Sequence, residues 1–161
     1  MSLIITSPSF RHNGKIPARH TCDGSGTSPA LSWSGVSEGT KSLVLIVDDP
    51  DAPDPSAPEM IWVHWVLYNL PPDITGLPEG IHAENLPAGT VQGINDWSRT
   101  GYGGPCPPVG NHRYFHRIYA LNTVLPDRKN VTRTMLMEMM QAHVIAQAEL
   151  VGLYQRQEPI R

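Results

Sequence analysis

This sequence lacks an excess of charge of either sign and has no long hydrophobic run. Its 161 residues carry 12 Lys and Arg against 15 Asp and Glu, a formal net charge of −3, and charged residues make up only 17% of the chain. With no basic excess to neutralise a phosphate backbone, nucleic-acid binding is disfavoured. No apolar run approaches the ~18 residues that a membrane-spanning helix needs, so no transmembrane segment is predicted.

Cysteine is also scarce, and no export signal can be recognised. Cys22 and Cys106 are too few for a disulfide framework, and their spacing matches no zinc site. Residues 1–8 lack the basic and the long apolar regions of a secretory signal, which predicts a cytoplasmic location. For that compartment we expect two reduced, partly buried thiols.

Glycine and proline, in contrast, are abundant. The chain has 14 Gly and 16 Pro, about a fifth of all residues against an average nearer ~12%, and 40% of its residues are hydrophobic. The apolar content supports a sizeable core and argues against intrinsic disorder, while the many turn residues disfavour a helical bundle. With no internal repeat or linker, residues 1–161 are predicted to form one domain.

Three segments have the composition of core strands. Residues 42–48 form a continuous, β-branched apolar run that is typical of a central strand buried on both faces, and residues 62–69 and 112–121 are equally β-prone. Four prolines predict a loop over residues 49–59, and four glycines and three prolines predict another over residues 101–110. The pattern indicates a mainly β sandwich.

The helical pattern is confined to the C-terminal part. Residues 132–143 consist mostly of helix formers behind a possible Thr cap, and we assign their methionines to core packing. Residues 148–154 can extend this helix or form a last strand, and the strand is favoured.

Five polar side chains lie on the predicted strands or at their ends: Asp49, Asp51, His64, His112 and Tyr114. Strand alternation places His112, Tyr114 and His116 on one face. Each feature also has a plain structural explanation, since a lone strand His is usually a satisfied core residue and clustered carboxylates usually form a solvated turn. The glycine-rich loop could present N–H groups to an anion, but it fits neither a phosphate-binding loop with Lys nor a dinucleotide fingerprint.

A combination of motifs resembles the phosphatidylethanolamine-binding protein family. The motifs are DPDAP at 49–53, WVHW at 62–65, GYGGPCPP at 101–108 and GNHRY at 110–114, with HTCDG at 20–24, SPALSW at 28–33, YAL at 119–121 and ELVGLY at 149–154. They cover nearly the whole chain and look like the family's bacterial and archaeal, Raf-kinase-inhibitor-like branch. The resemblance implies a two-sheet, largely antiparallel β-sandwich with a few short helices.

The resemblance also implies a small pocket for an anion, a phosphorylated small molecule or a phospholipid head group. Its ligand-binding residues would be Asp49, His64, His112, Tyr114, Ala52, Gly104 and Cys106, with Asp51, Cys22 and Asp23 in support. We expect His64 and His112 to be the main charge partners and Tyr114 to be a hydrogen-bond donor. No metal, cofactor or catalytic residue is implied.

The sequence departs from the animal members of the family at three places. It has Val63 where they usually carry a second His, it has Cys106 where they often carry Pro, and it lacks a recognisable counterpart of their C-terminal lid helix. These departures weaken lipid binding and kinase inhibition more than anion binding. The branch further implies a homodimer and the proximity of Cys22 to Cys106, with a disulfide possible on oxidation.

Three functions remain open from the sequence. The first is a non-catalytic binder of anions or phosphate head groups. The second is an inhibitor of a kinase or protease, for which no contact residue can be chosen. The third is a small hydrolase or metal-dependent enzyme that uses Asp49, His64 and His112. The first is preferred, because no Gly-x-Ser-x-Gly elbow occurs and because Cys106 between prolines is a poor position for a nucleophile.

Overall fold

The structure is a computed structural model that describes residues 2–156. These residues include nine β-strands, one α-helix and two short 3-10 helices. The strands are β1 (Ile4–Thr6), β2 (Gly14–Lys15), β3 (Leu31–Ser34), β4 (Ser42–Ala52), β5 (Met60–Leu70), β6 (Gly76–Leu77), β7 (Val91–Gln92), β8 (His112–Leu121) and β9 (Val144–Tyr154). The helix α1 is Arg133–Met140, and the 3-10 helices are Ala18–His20 and Ala83–Asn85.

The strands form two sheets of unequal size. The small sheet has the order β1-β3-β6 and the large sheet has the order β2-β9-β8-β4-β5-β7. Every ladder between these strands is antiparallel except the short β2–β9 pair. The prediction of a mainly β, two-sheet, largely antiparallel fold with few helices is therefore confirmed.

The strand β4 lies at the centre of the large sheet, as its unbroken apolar run predicts. One of its faces, which includes Leu45, packs between the sheets with Trp33 of β3. The other face, which includes Ile46, packs with Leu136 of α1. Burial on both faces explains why this strand does not show the polar alternation of a surface strand.

The predicted loop over residues 49–59 is wrong at its start, because β4 continues through Ala52, whereas its end agrees with β5, which begins at Met60. The ladder between β4 and β8 ends at the pair Asp48 and Phe115. Beyond that point β4 forms no ladder hydrogen bonds with β8. Pro50 has no backbone N–H, but no ladder hydrogen bond to β8 is lost there. The β4–β5 register shifts in the same place.

The C-terminal elements agree with the strand alternative. The helix α1 ends three residues before the predicted boundary, and the Thr132 hydroxyl caps it by accepting from the N–H of Met135 at 3.2 Å. Met140 is buried in the core, whereas Met135 is partly exposed. The strand β9 starts at Val144, four residues before the predicted strand. Within residues 2–156, no helix is long and apolar enough to cross a membrane.

Candidate functional site

One cavity of about 470 Å³ opens where β4, β5 and β8 leave their ladders. We call it the strand-end cavity. Its lining residues are Asp49, Ala52, Pro53, Met60, Trp62, His64, Trp97, Cys106, Pro107, Pro108, His112 and Tyr114. None of these lining residues is Lys or Arg, so the cavity has no permanent cationic side chain in its wall.

Four polar residues from three neighbouring strands form the floor of the strand-end cavity. They are Asp49 of β4, His64 of β5, and His112 and Tyr114 of β8. All four are buried, with at most 3% of each residue exposed. Alternation along β8 places His112 and Tyr114 on one face, as predicted, and their rings are stacked with centroids 6.2 Å apart.

Both nitrogens of His112 have acceptor partners within the protein. Nε2–H donates to the carbonyl of Val109 at 2.8 Å, and Nδ1 lies 2.6 Å from Oδ2 of Asp49. Burial raises the pKa of Asp49 against the opposing effect of its hydrogen bond with His112. One proton lies between the carboxylate and the ring, so the pair carries no net charge. His112 thus has no free N–H for a ligand in this geometry, contrary to the expectation that it is a main charge partner.

His64 has a different arrangement. Its Nδ1–H donates to the carbonyl of Gly103 at 2.7 Å, and the N–H of Gly103 donates back to the His64 carbonyl at 2.9 Å. Burial lowers the pKa of His64 to about 4, so the ring is neutral near pH 7. The rings of Trp97 and Tyr114 each meet it edge to face at 5.2 Å. His64 is therefore a neutral imidazole, not a cation.

Tyr114 provides a hydroxyl to the floor. Burial, followed by the nearby charge of Asp49, raises the pKa of Tyr114 well above its usual range. The phenol therefore stays protonated at physiological pH, and its hydroxyl can rotate to donate to a ligand. A hydrogen bond with Asp49 also contributes to the raised pKa of Tyr114, and the role of its hydroxyl as a donor to a ligand stays a prediction.

A disulfide fixes one wall of the strand-end cavity to the rest of the fold. Cys22 and Cys106 are bonded, with their Cα atoms 5.3 Å apart, and the N–H of Cys22 donates to the carbonyl of Pro105 at 3.0 Å. The expected proximity is confirmed, whereas the expected pair of reduced, partly buried thiols is wrong for this structure. Cys22 and Cys106 are both exposed.

Four of the predicted site residues lie outside the lining. Both carboxylate oxygens of Asp51 accept from the Arg113 side chain at 2.8 and 2.9 Å. Asp23 accepts hydrogen bonds from the side chains of Tyr154 and Arg156. Cys22 supports the wall only through its bond to Cys106.

Gly104, the fourth of these residues, lies against the backbone of the buried segment at His20. A Cβ at position 104 would be 2.6 Å from the carbonyl oxygen of His20, so a side chain cannot be accommodated there without movement of the backbone. Gly104 thus allows a close approach of two chain segments. It does not contact the cavity itself.

The sequence interpretation missed most of the apolar lining. Trp97 lies in a loop with no periodicity, yet its ring packs edge to face on Trp62 at 5.6 Å and on His64. Asn95 and Asp96 hold this loop, because Asp96 accepts from the N–H of Val63 at 2.7 Å and Asn95 accepts from the N–H of Trp97 at 2.9 Å. A large aromatic residue beside Asn and Asp in a loop was the available signal.

No cluster of three or more His, Cys, Asp or Glu side chains suited to a metal ion occurs among residues 2–156. Two of the side chains near the cavity that could ligate a metal are engaged within the protein. Both nitrogens of His112 are hydrogen-bonded, and Asp51 pairs with Arg113. Cys106 is bonded to Cys22 and supplies no thiolate nucleophile.

Fold and site together define a two-sheet β-sandwich with a cavity that has a polar, buried floor and apolar walls. Comparison with known proteins identifies the family. The family profile for phosphatidylethanolamine-binding protein matches residues 6–155. The chain belongs to the phosphatidylethanolamine-binding protein family.

Relatives match this chain over nearly their whole length. A UPF0098 protein of Methanothermobacter thermautotrophicus is 52% identical over 148 residues, which cover 91% of this chain and 95% of the relative. A solved structure from Chlamydia trachomatis, described as a phosphatidylethanolamine-binding protein homolog, has a TM-score of 0.88 at 43% identity, covering 97% of this chain and 99% of the other. YbcL of E. coli, described as a new member of the mammalian family, has a TM-score of 0.87 at 36% identity, covering 98% of this chain and 100% of the other.

Proposed function

We propose that this protein binds a small phosphate-bearing ligand in the strand-end cavity and releases it chemically unchanged. The observation that supports the proposal is the convergence of Asp49, His64, His112 and Tyr114 from three strands on the floor of one cavity. Such buried polar groups at the base of an apolar cleft are typical of a site that orients one polar group of a ligand. Ethanolamine phosphate has a suitable head, with oxygens that can accept from the Tyr114 hydroxyl.

Three features favour binding over catalysis. Cys106 is held in a disulfide, the phenol of Tyr114 is kept protonated by burial, and the lowered pKa of His64 makes it a weak base. The floor therefore has no activated nucleophile beside a strong base. The enzyme alternative predicts turnover of phosphate or carboxylate esters, and we expect none.

Titration calorimetry with phosphorylethanolamine and inorganic phosphate tests the proposal. Tyr114→Phe removes the hydroxyl of the floor and is expected to weaken binding by about 1.5–3 kcal/mol, a roughly 10- to 100-fold rise in Kd, which is the range for a hydrogen bond to a charged group. Tyr119→Phe is the matched control, because the same change is made on the same strand β8 at a buried residue outside the cavity lining. Equal affinity of both variants would contradict the assignment of the site.

A further inference from the structure

The orientation of His64 fixes which of its nitrogens a ligand meets. The Gly103 carbonyl can only accept, so the proton of the neutral ring lies on Nδ1. Because the N–H of Gly103 also donates to the His64 carbonyl, the ring and the 103 segment hold each other in place. Nε2 then carries a lone pair, and within residues 2–156 no hydrogen-bond donor reaches it. His64 lines the strand-end cavity, so a ligand there meets an acceptor.

The groups around His64 do not supply a compensating positive charge. Asp49 and His112 form a pair without net charge, and Tyr114 is a neutral phenol. His116 lies deeper in the sheet, is 1% exposed and has its pKa lowered by burial, so it is neutral as well. The wall contains no Lys or Arg. A ligand oxygen without a hydrogen would thus face the lone pair of Nε2 directly.

We propose that the strand-end cavity selects a tetrahedral oxyanion that carries its own proton, which means a phosphate monoester or inorganic phosphate and not a phosphodiester or sulfate. The P–O–H group donates to Nε2 of His64, and the Tyr114 hydroxyl donates to a second ligand oxygen. This inference rests on the proposed function and narrows it. A phospholipid head group attached through a diester has no such proton, so a free phosphorylated molecule is the favoured ligand.

The pH dependence of ligand affinity is set by whether the ligand or the solvent supplies the proton that lies between the ligand oxygen and Nε2 of His64. A monoester is a monoanion with a P–O–H group below its second pKa, near ~6, so its binding needs no proton from solvent in that range. Sulfate and a diester can bind only if His64 is protonated, and burial holds the pKa of that ring at about 4 in the free protein. Their affinity is therefore expected to fall about tenfold per pH unit as the pH rises above about 4.

Methyl phosphate, dimethyl phosphate and sulfate, titrated by calorimetry into the wild-type protein at about pH 5.5, test this inference. At that pH methyl phosphate and dimethyl phosphate are largely monoanions, and they differ in the P–O–H group. We expect methyl phosphate to bind at least about tenfold more tightly than either of the other two probes. Methyl phosphate represents the free monoester, and dimethyl phosphate represents the lipid diester.

His64→Gln extends the test, because the side-chain amide can donate as well as accept. In this variant sulfate is expected to bind within about threefold of methyl phosphate and to lose its pH dependence. His116→Gln, the same substitution at a buried imidazole outside the lining, is expected to keep the wild-type preference.

The outcomes separate the inference from the proposed function. Methyl phosphate binding no more tightly than sulfate and dimethyl phosphate in the wild type would overturn the inference and leave phosphate binding intact. Failure of all three probes and of phosphorylethanolamine to bind would overturn both. The wild-type comparison decides the matter even if His64→Gln does not fold.

Discussion

Two buried, neutral imidazoles make the stability of this protein sensitive to acid. His64 and His116 are 2% and 1% exposed, and burial lowers the pKa of each to about 4. His116 is enclosed by the ring of Phe10, with centroids 5.2 Å apart, and its Nδ1–H is shared by the carbonyls of Tyr114 and Leu150 at 3.1 and 3.2 Å. In the unfolded chain both rings have the ordinary pKa near ~6.5.

The direction of the effect follows from this difference in pKa. Between about pH 6.5 and pH 4 the unfolded chain binds protons that the folded protein does not, so stability is fully present above 6.5 and is lost as the pH falls. The difference between a pKa near ~6.5 in the unfolded chain and about 4 in the folded protein corresponds to about 3 kcal/mol for each ring. Two rings together remove about 6–7 kcal/mol, a large part of the roughly 5–15 kcal/mol that stabilises a typical domain. We therefore expect cooperative unfolding in mild acid.

Urea unfolding monitored by tryptophan fluorescence, from about pH 4.5 to pH 7.5, measures this slope. His116→Gln removes one of the two groups, and the slope of its unfolding free energy against pH is expected to be lower than that of the wild type by up to about 1.4 kcal/mol per pH unit. His82→Gln makes the same change at an exposed position and should keep the wild-type slope. The raised pKa of Asp49 and the lowered pKa of Asp51 act in all three proteins and cancel in the comparison. Equal slopes for His116→Gln and the wild type would refute the reasoning.

Two further perturbations test the framework around the cavity. Reduction of the disulfide, or the double change Cys22→Ser and Cys106→Ser, is expected to lower the unfolding free energy by about 2–4 kcal/mol. The reason is that the bond joins residues 84 positions apart in sequence and so restricts the unfolded chain. Unchanged urea midpoints would contradict this expectation. Asp48→Ala is expected to cost about 3 kcal/mol, because the fully buried Asp48 side chain pairs with Arg117 and Arg133, each at 3.0 Å; its removal takes this partner from Arg133 and leaves Arg117 with the exposed Glu149 alone. A loss below about 1 kcal/mol in the same measurement would show that the pairs are dispensable.

The strands of the large sheet were predictable because they follow from local composition. The apolar run over residues 42–48 reflects burial of β4 on both faces, and the structure has this burial. The alternation at the start of β8 reflects burial on one face, which the structure also has. The loop expected from four prolines was wrong only at its start, because proline excludes a strand only where a ladder needs its N–H. Beyond Asp48 the β4–β8 ladder has ended, and side-chain bonds from Asp49 and Asp51 to β8 replace it.

The candidate site was only partly predictable. The motif residues Asp49, His64 and Tyr114 do line one cavity, but the contribution of Trp97 depends on how a loop without periodicity folds back over β5. The expected reduced state of the two cysteines was wrong because it was inferred from the expected compartment and not from geometry. Sequence reasoning on compartment does not report how close Cys22 and Cys106 lie in the fold.

Four buried histidines show why spacing alone cannot assign function to an imidazole. In each ring at least one nitrogen bonds to a carbonyl or carboxylate, so the second nitrogen distinguishes the rings. In His112 it donates to a carbonyl, and His116 lies outside the cavity lining. In His20, Nδ1 bonds to the carbonyl of Thr27 at 2.7 Å and the buried Nε2 lies 3.7 Å from Oε1 of Glu79 without a hydrogen bond, but this ring lines no part of the strand-end cavity. His64 alone among these four combines a fixed Nδ1 proton with a lone pair in a ring that lines the strand-end cavity, and for that reason we assign ligand selection to it.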